Sequence, residues 1–168
     1  YTEENYDAFE ARYKLLGLTS PSPATSLQPS KVEFVRRTQY IYSMMDSANM
    51  CHCVWGPSWQ LHGPDQILKM MRAITGWDVT LDELLTVGER RVNMMRVFNG
   101  REGIGSTHDT LPKKFFKPLK DGPTDGWKLD KREFDAAVIE YYRQSGWNEE
   151  TGMPTDDTLT RLHLEWLI

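Results

Sequence analysis

Apolar residues recur at helical spacing along most of this 168-residue sequence, and this periodicity constrains the fold more than any other feature. The clearest example follows Thr80, where one stripe consists of Leu81, Leu84, Leu85, Gly88, Val92, Met95 and Phe98. No segment alternates apolar and polar residues with period two between turn signals, as a half-buried strand would. The sequence therefore predicts an all-α fold, an irregular multi-helix domain with long loops.

Glycine, proline and capping residues indicate where these helices begin and end. Ser30 with Glu33 predicts a capping box at the start of the second helix. Thr80 and Asp130 are expected to cap two later helices, and a long loop is expected from Asn99 to Gly126. The predicted helices run from Tyr6 to Leu16, from Ser30 to about Asp46, from Pro64 to Thr75, from Leu81 to Phe98, from Asp130 to Ser145 and from Thr155 onwards.

Composition limits the classes of function. The 20 Lys and Arg residues against 24 Asp and Glu residues give a net charge of -4, and the basic residues are scattered, which argues against a nucleic-acid partner. No apolar stretch approaches the ~20 residues of a membrane helix, so the sequence predicts a soluble, cytoplasmic protein. Cys51 and Cys53 are too close in sequence for a useful disulfide. Because the chain opens at Tyr1, we expect a fragment of a longer polypeptide.

The segment from Asp46 to Cys53 holds the densest group of polar and sulfur side chains. Asn49 tolerates the left-handed backbone conformation, so the chain can turn between Asp46 and Cys51 and leave a carboxylate and a thiol facing one site. This pair suits a pterin beside an iron–sulfur cluster, since carboxylates accept hydrogen bonds from amino-pyrimidines and thiolates bind iron. Three alternatives stay open: buried cysteines with no chemical role, a zinc site that includes His52, and a reactive thiolate activated by His52.

Six segments in order resemble motifs of the aldehyde ferredoxin oxidoreductase family. Asp46 to Cys51 resembles its Asp-x-x-Gly-Leu-Cys motif, with Asn49 and Met50 in place of Gly-Leu. The others are Thr75-Gly76-Trp77, Gly88-Glu89-Arg90, Phe98-Asn99-x-Arg101-Glu102-Gly103, Asp109-Thr110-Leu111-Pro112-x-x-Phe115, and Tyr141-Tyr142 with Gly146-Trp147 and Gly152-x-Pro154-Thr155. The similarity extends from about Val32 to Leu164. Lys114 stands where the family's loop often has Arg.

The resemblance implies that residues 1–168 are the C-terminal helical domain of a larger enzyme, whose N-terminal pterin-cradling domain and middle domain lie outside this sequence. In that family, a tungsten- or molybdenum-bis-pterin and a [4Fe–4S] cluster oxidise aldehydes to carboxylates. Asp46, Asn49, Met50 and Cys51 would be the cofactor-binding residues, with Cys51 as the fourth ligand of the cluster. No residue here is assigned as the catalytic acid or base. The isolated chain is expected to be inactive and to carry no cofactor.

Partners and alternative functions follow from the same resemblance. The expected partners are the preceding domains and ferredoxin or an iron–sulfur electron-transfer subunit, with homo-oligomerisation left open. The alternatives are the tungsten subunit of a benzoyl-CoA-reductase-type complex and a non-catalytic helical interaction module. We further expect Glu89, Arg90 and the Arg101-Glu102 pair to hold the long loop onto its helix through ion pairs. The tryptophans Trp55, Trp59 and Trp77 are expected in the core, and some apolar residues at a former domain interface.

Overall fold

The computed structural model describes residues 3–19, 23, 25–55 and 62–168, and the side chains of residues 3–8 and 55 are outside this description. The α-helices within these residues are α1 (Glu3–Leu15), α2 (Pro29–Ser47), α3 (His52–Trp55), α4 (Pro64–Thr75), α5 (Leu81–Arg101), α6 (Lys131–Ser145) and α7 (Asp156–Arg161). Short 3₁₀ helices span Ser106–His108, Lys113–Phe116 and Glu165–Leu167. The described part of the chain contains an isolated bridge between Trp147 and Pro154 but no strand, so the all-α prediction is confirmed. No helix there is long and apolar enough to cross a membrane.

The main contact of the fold is the crossing of α2 and α5, and Gly88 allows it. A Cβ atom at Gly88 would lie 2.7 Å from the carbonyl carbon of Tyr40, closer still to its oxygen, and 3.0 Å from the backbone nitrogen of Met44. Only a residue without a side chain lets the two backbones approach this closely. The sequence pattern placed Gly88 on the apolar stripe of α5, and the structure shows that α2 crosses the helix at this glycine.

Two apolar clusters stabilise the fold on either side of this crossing. The first joins α1, α2, α4 and α5 and contains the buried residues Tyr13, Leu16, Leu18, Ile41, Met44, Met45, Ile67 and Leu84. The second joins the end of α5 to the C-terminal segment and contains Val97, Leu159, Leu162, Leu164 and Leu167. Since the first cluster includes the last turns of α2, the end of that helix rests on a packed core.

Local signals at helix ends are mostly confirmed. The hydroxyl of Thr80 accepts from the Glu83 amide at 3.2 Å, while Glu83 accepts from the Thr80 amide at 2.7 Å, which forms the reciprocal capping box. Asp130 caps α6 as predicted. The capping box at Ser30 is wrong, because the N-cap is Gln28, two residues earlier, and Pro29 occupies the first turn of α2. A proline at this position loses no hydrogen bond and has a helical φ already set.

The long loop after α5 is held by a different ion pair from those expected. Arg96, buried in α5, donates to both carboxylate oxygens of Asp109 at 3.0 and 2.5 Å and to the Gly152 carbonyl at 2.7 Å. The Tyr142 hydroxyl donates to the same carboxylate. Burial alone would raise the pKa of Asp109, but hydrogen bonds from Arg96 and Tyr142 and the Arg96 charge lower it below its usual value. A buried arginine thus clamps the loop between α5 and α6.

Two of the residues expected to hold the loop, Glu89 and Arg101, instead contact the C-terminal segment. Glu89 pairs with Arg161 at 2.7 Å, and Arg101 donates to the Leu167 carbonyl at 2.8 Å. The prediction for the tryptophans is wrong for Trp77, whose side chain is 65% exposed. Trp59 and the side chain of Trp55 lie outside the described residues.

Candidate functional site

The candidate site is the turn that follows α2. Asp46 lies in the last turn of the helix, and Asn49 has the left-handed conformation that the sequence predicts, with φ 55°. The Asn49 amide donates to the Asp46 carbonyl at 3.2 Å, and the Met50 amide donates to the Met45 carbonyl at 2.9 Å. These bonds close the helix end and turn the chain sharply before Cys51.

Met50 anchors this turn to the protein interior. Its side chain is half-buried and packs against the first apolar cluster, whereas Asp46 and Cys51 on either side of the turn are exposed. The departure from Gly-Leu at residues 49 and 50 is therefore compatible with an ordered turn. Asn adopts the left-handed conformation, and Met fills the apolar position.

The Asp46 carboxylate is hydrogen-bonded by Arg91 and lies close to His52. Arg91 of α5 donates from Nη1 to Asp46 Oδ2 at 2.8 Å and to the Ser43 hydroxyl at 3.2 Å. On the other side, Nε2 of His52 lies 3.0 Å from Asp46 Oδ1, and the His52 ring packs on Tyr42 with 5.3 Å between ring centroids. Each carboxylate oxygen has two lone pairs, so this arrangement leaves capacity for further donors. The Asp46 side chain is 43% exposed, so a ligand can reach it.

Cys51 and Cys53 are both free and exposed. This contradicts the alternative in which they are buried apolar residues, and it agrees with the absence of a disulfide. In the described part of the chain, no three His, Cys, Asp or Glu side chains are grouped as metal ligands would be, so Cys51, His52 and Cys53 do not form a zinc site by themselves. An exposed thiol at the end of an ordered turn does fit a single ligand to an iron–sulfur cluster whose other ligands come from elsewhere.

Arg91 is the member of this site that the sequence reasoning missed. It lies 45 residues from Asp46, on a helix that reaches the motif only because α2 and α5 cross at Gly88. No local pattern marks Arg91, because an arginine on an exposed helix face is ordinary. Only the predicted stripe containing Gly88 carried an indirect signal of which face of α5 meets α2.

Exposed apolar surface adjoins the site at the end of α2. A groove of about 190 Å³ between α2, α4 and α5 is lined by apolar residues including Met44, Met71, Trp77 and Val87. Along α5, Val87, Met94, Met95 and Phe98 are between 39% and 64% exposed. This surface agrees with the expectation of apolar residues at a former domain interface.

Comparisons with known proteins decide the family. The model of the family described as aldehyde ferredoxin oxidoreductase, domains 2 and 3, matches residues 3–164. The chain belongs to this family. The resemblance drawn from the motifs is thereby confirmed, and so is the assignment of the chain to an oxidoreductase family.

Relatives in this family are much longer than the chain. It is 31% identical over 155 residues to the tungsten-containing aldehyde ferredoxin oxidoreductase of Pyrococcus horikoshii, a match that covers 90% of this chain and 24% of that protein. The corresponding protein of Pyrococcus abyssi is 30% identical over 158 residues, covering 92% of this chain and 24% of that protein. The chain thus spans about a quarter of these relatives, which agrees with its being one part of a larger multi-domain enzyme.

Two further similarities extend the comparison. The aliphatic sulfonate oxidoreductase, WOR-like subunit, of Pyrococcus furiosus is 26% identical over 130 residues, covering 74% of this chain and 20% of that protein. Among solved structures, the active site complex BamBC of benzoyl coenzyme A reductase matches with a TM-score of 0.71 and 18% identity, covering 99% of this chain and 26% of that one. The latter likeness shows that the fold is shared.

Proposed function

We propose that this chain is the C-terminal helical part of a tungsten- or molybdenum-pterin enzyme that oxidises aldehydes to carboxylates. An aldehyde and water give a carboxylate, three protons and two electrons, and ferredoxin or an iron–sulfur subunit accepts the electrons. Bound pterin and cluster would supply the redox chemistry. The contribution of this chain would be to hold both groups, with Cys51 as one ligand of a [4Fe–4S] cluster and Asp46 as a pterin contact within the segment that includes Asn49 and Met50.

One observation carries this proposal: the exposed, unpaired thiol of Cys51 directly follows the left-handed turn at Asn49 in a chain of this family. An exposed thiol next to a turn that is anchored by Met50 can meet a cluster held mainly by another domain. A [4Fe–4S] cluster normally takes four thiolates, so the remaining three would come from the preceding domains. These domains are the first proposed partner.

The decisive experiment is metal analysis of the full-length parent protein, purified without oxygen, together with its Cys51→Ser variant. We expect tungsten or molybdenum with about four irons per chain in the parent. Iron should fall sharply in the variant, since serine replaces a thiolate. Cys53→Ser is the matched control, because Cys53 is also exposed and free and its loss should leave the iron content unchanged. Equal iron in the parent and both variants would instead support the non-catalytic interaction module.

A different oxidoreductase reaction is the second candidate. The similarity to the WOR-like subunit of an aliphatic sulfonate oxidoreductase supports it, because that protein is named for a substrate other than an aldehyde. The benzoyl-CoA-reductase-type alternative shares the fold alone. Reduction of ferredoxin by aldehydes or by aliphatic sulfonates, and oxidation of reduced ferredoxin by benzoyl-CoA, each measured separately with the parent protein, would distinguish the three reactions. Cytoplasmic localisation and homo-oligomerisation stay predictions.

A further inference from the structure

Arg91 connects two helices at the point where the proposed pterin contact is made. Its guanidinium group bridges the Asp46 carboxylate at 2.8 Å and the Ser43 hydroxyl at 3.2 Å, so α5 holds a side chain from the last turn of α2. Ser43 is 4% exposed, which makes its hydroxyl a fixed reference point for the arginine. A carboxylate bonded in this way loses rotational freedom before any ligand arrives.

We propose that Arg91 is a positioning residue for the pterin contact. It would set the orientation of the Asp46 carboxylate, with one oxygen bonded to Arg91 and the other beside His52, so that the remaining lone pairs receive N–H donors of the pterin edge. This inference rests on the proposed function and extends it to a residue outside the Asp46–Cys51 motif. Partners that orient a binding group commonly change its affinity by roughly 10- to 100-fold when they are removed.

The exposure of the Asp46–Arg91 ion pair favours a positioning role over a stabilising one. The Asp46 and Arg91 side chains are 43% and 38% exposed, and ion pairs this exposed contribute little to folding stability. The bond from Arg91 to the buried Ser43 hydroxyl nevertheless fixes the guanidinium group, and the Asp46 carboxylate is bonded to that group. The pair is therefore better suited to orient a group than to stabilise the fold.

The test uses the full-length parent protein and measures pterin, tungsten or molybdenum, and iron per chain after gel filtration, together with the melting temperature. Arg91→Gln should retain roughly tenfold less pterin while iron stays near the parent value, because Cys51 is untouched. Ser43→Ala should show a smaller loss of pterin, since it loosens Arg91 without removing its charge. Arg91→Lys should restore part of the pterin. Arg143→Gln, which removes the ion pairs of an exposed arginine on α6 with Glu140 and Glu149, is the control.

The outcomes separate this inference from the proposed function. Loss of pterin with iron retained in Arg91→Gln, and parent values in Arg143→Gln, would support it. Full pterin content in Arg91→Gln combined with loss of pterin in Asp46→Ala would overturn the role of Arg91 and leave the proposed function intact. Full pterin content in Asp46→Ala would overturn both the role of Arg91 and the proposed pterin contact of Asp46. Joint loss of pterin and iron with a lower melting temperature in Arg91→Gln and Ser43→Ala would assign Arg91 to folding alone.

Discussion

Replacing Gly88 by alanine tests whether the close approach of α2 and α5 determines the fold. The new Cβ would lie 2.7 Å from the Tyr40 carbonyl carbon, where ordinary contacts begin at 3.4 Å, and closer still to the carbonyl oxygen. Both obstructing atoms belong to the backbone, so no rotamer change relieves the overlap and the helices must separate by roughly 1 Å. A gap of that size removes a quarter to a half of the dispersion energy of the contacts around it.

The expected loss of stability follows from two opposing terms. Overpacking costs about 1–3 kcal/mol, and a backbone obstruction belongs at the upper end of that range or above it. Alanine offsets about 1 kcal/mol of this through its higher helix propensity. We therefore expect Gly88→Ala to lower the free energy of unfolding by about 2 kcal/mol, which corresponds to roughly 1 M in the urea midpoint of a chain this size.

Gly100→Ala, in the same helix, is the matched control. There the added Cβ would meet the flexible end of the Met153 side chain, with Sδ at 2.6 Å and Cε closer still, and this end can move away. This variant should be neutral or slightly stabilised, because the propensity gain remains. If Gly88→Ala unfolds at the same urea concentration as the parent or a higher one, the argument that backbone contact sets the crossing is wrong.

Three other predictions concern the loop clamp, a helix cap and the exposed face of α5. Asp109→Ala should destabilise the chain by about 3 kcal/mol in urea unfolding, because it leaves the buried Arg96 charge unpaired. The pKa of Asp109 is lower in the folded state than in the unfolded state, so its stabilising effect should be fully present above the unfolded pKa of about 3.9. The effect should be lost as the pH falls from there through the lower folded-state pKa. Asp109→Asn should weaken this acid dependence. Thr80→Ala should cost about 1 kcal/mol in thermal unfolding, whereas Thr80→Ser should keep the cap. Phe98→Ser, at a side chain 64% exposed, should reduce self-association of the chain measured by light scattering.

Each of these has an outcome that would contradict it. For the loop clamp, Asp135→Asn is the control, because Asp135 pairs only with exposed Lys131 among the described residues. Equal losses of stability in the Asp109 and Asp135 variants would show that the clamp contributes no more than a surface ion pair. Equal stability of the Thr80 variants would remove the cap as a determinant of α5. If Phe98→Ser self-associates as much as the parent chain, the surface responsible for self-association does not include Phe98.

Most of the local structure could be predicted from the sequence because it depends on residues that are close in the chain. The cap at Thr80 needs only Glu83 three residues later, and the turn at Asn49 needs only a residue that tolerates positive φ. The cap of α2 was misplaced by two residues where two local signals competed, because Pro29 begins the helix after Gln28 instead of Ser30 capping it. The candidate pair of Asp46 and Cys51 was also readable locally, since one turn separates them.

Contacts between distant segments were decided only by the tertiary structure. The sequence alone determined that the chain is helical, which side chains could carry chemistry, and which family it resembles, because these depend on periodicity, residue type and ordered motifs. That Arg91 reaches Asp46, and that Arg96 rather than Arg101 clamps the loop, depends on how helices cross. This crossing is set by the backbone approach at Gly88, and a single sequence shows the glycine but not the helix that it meets.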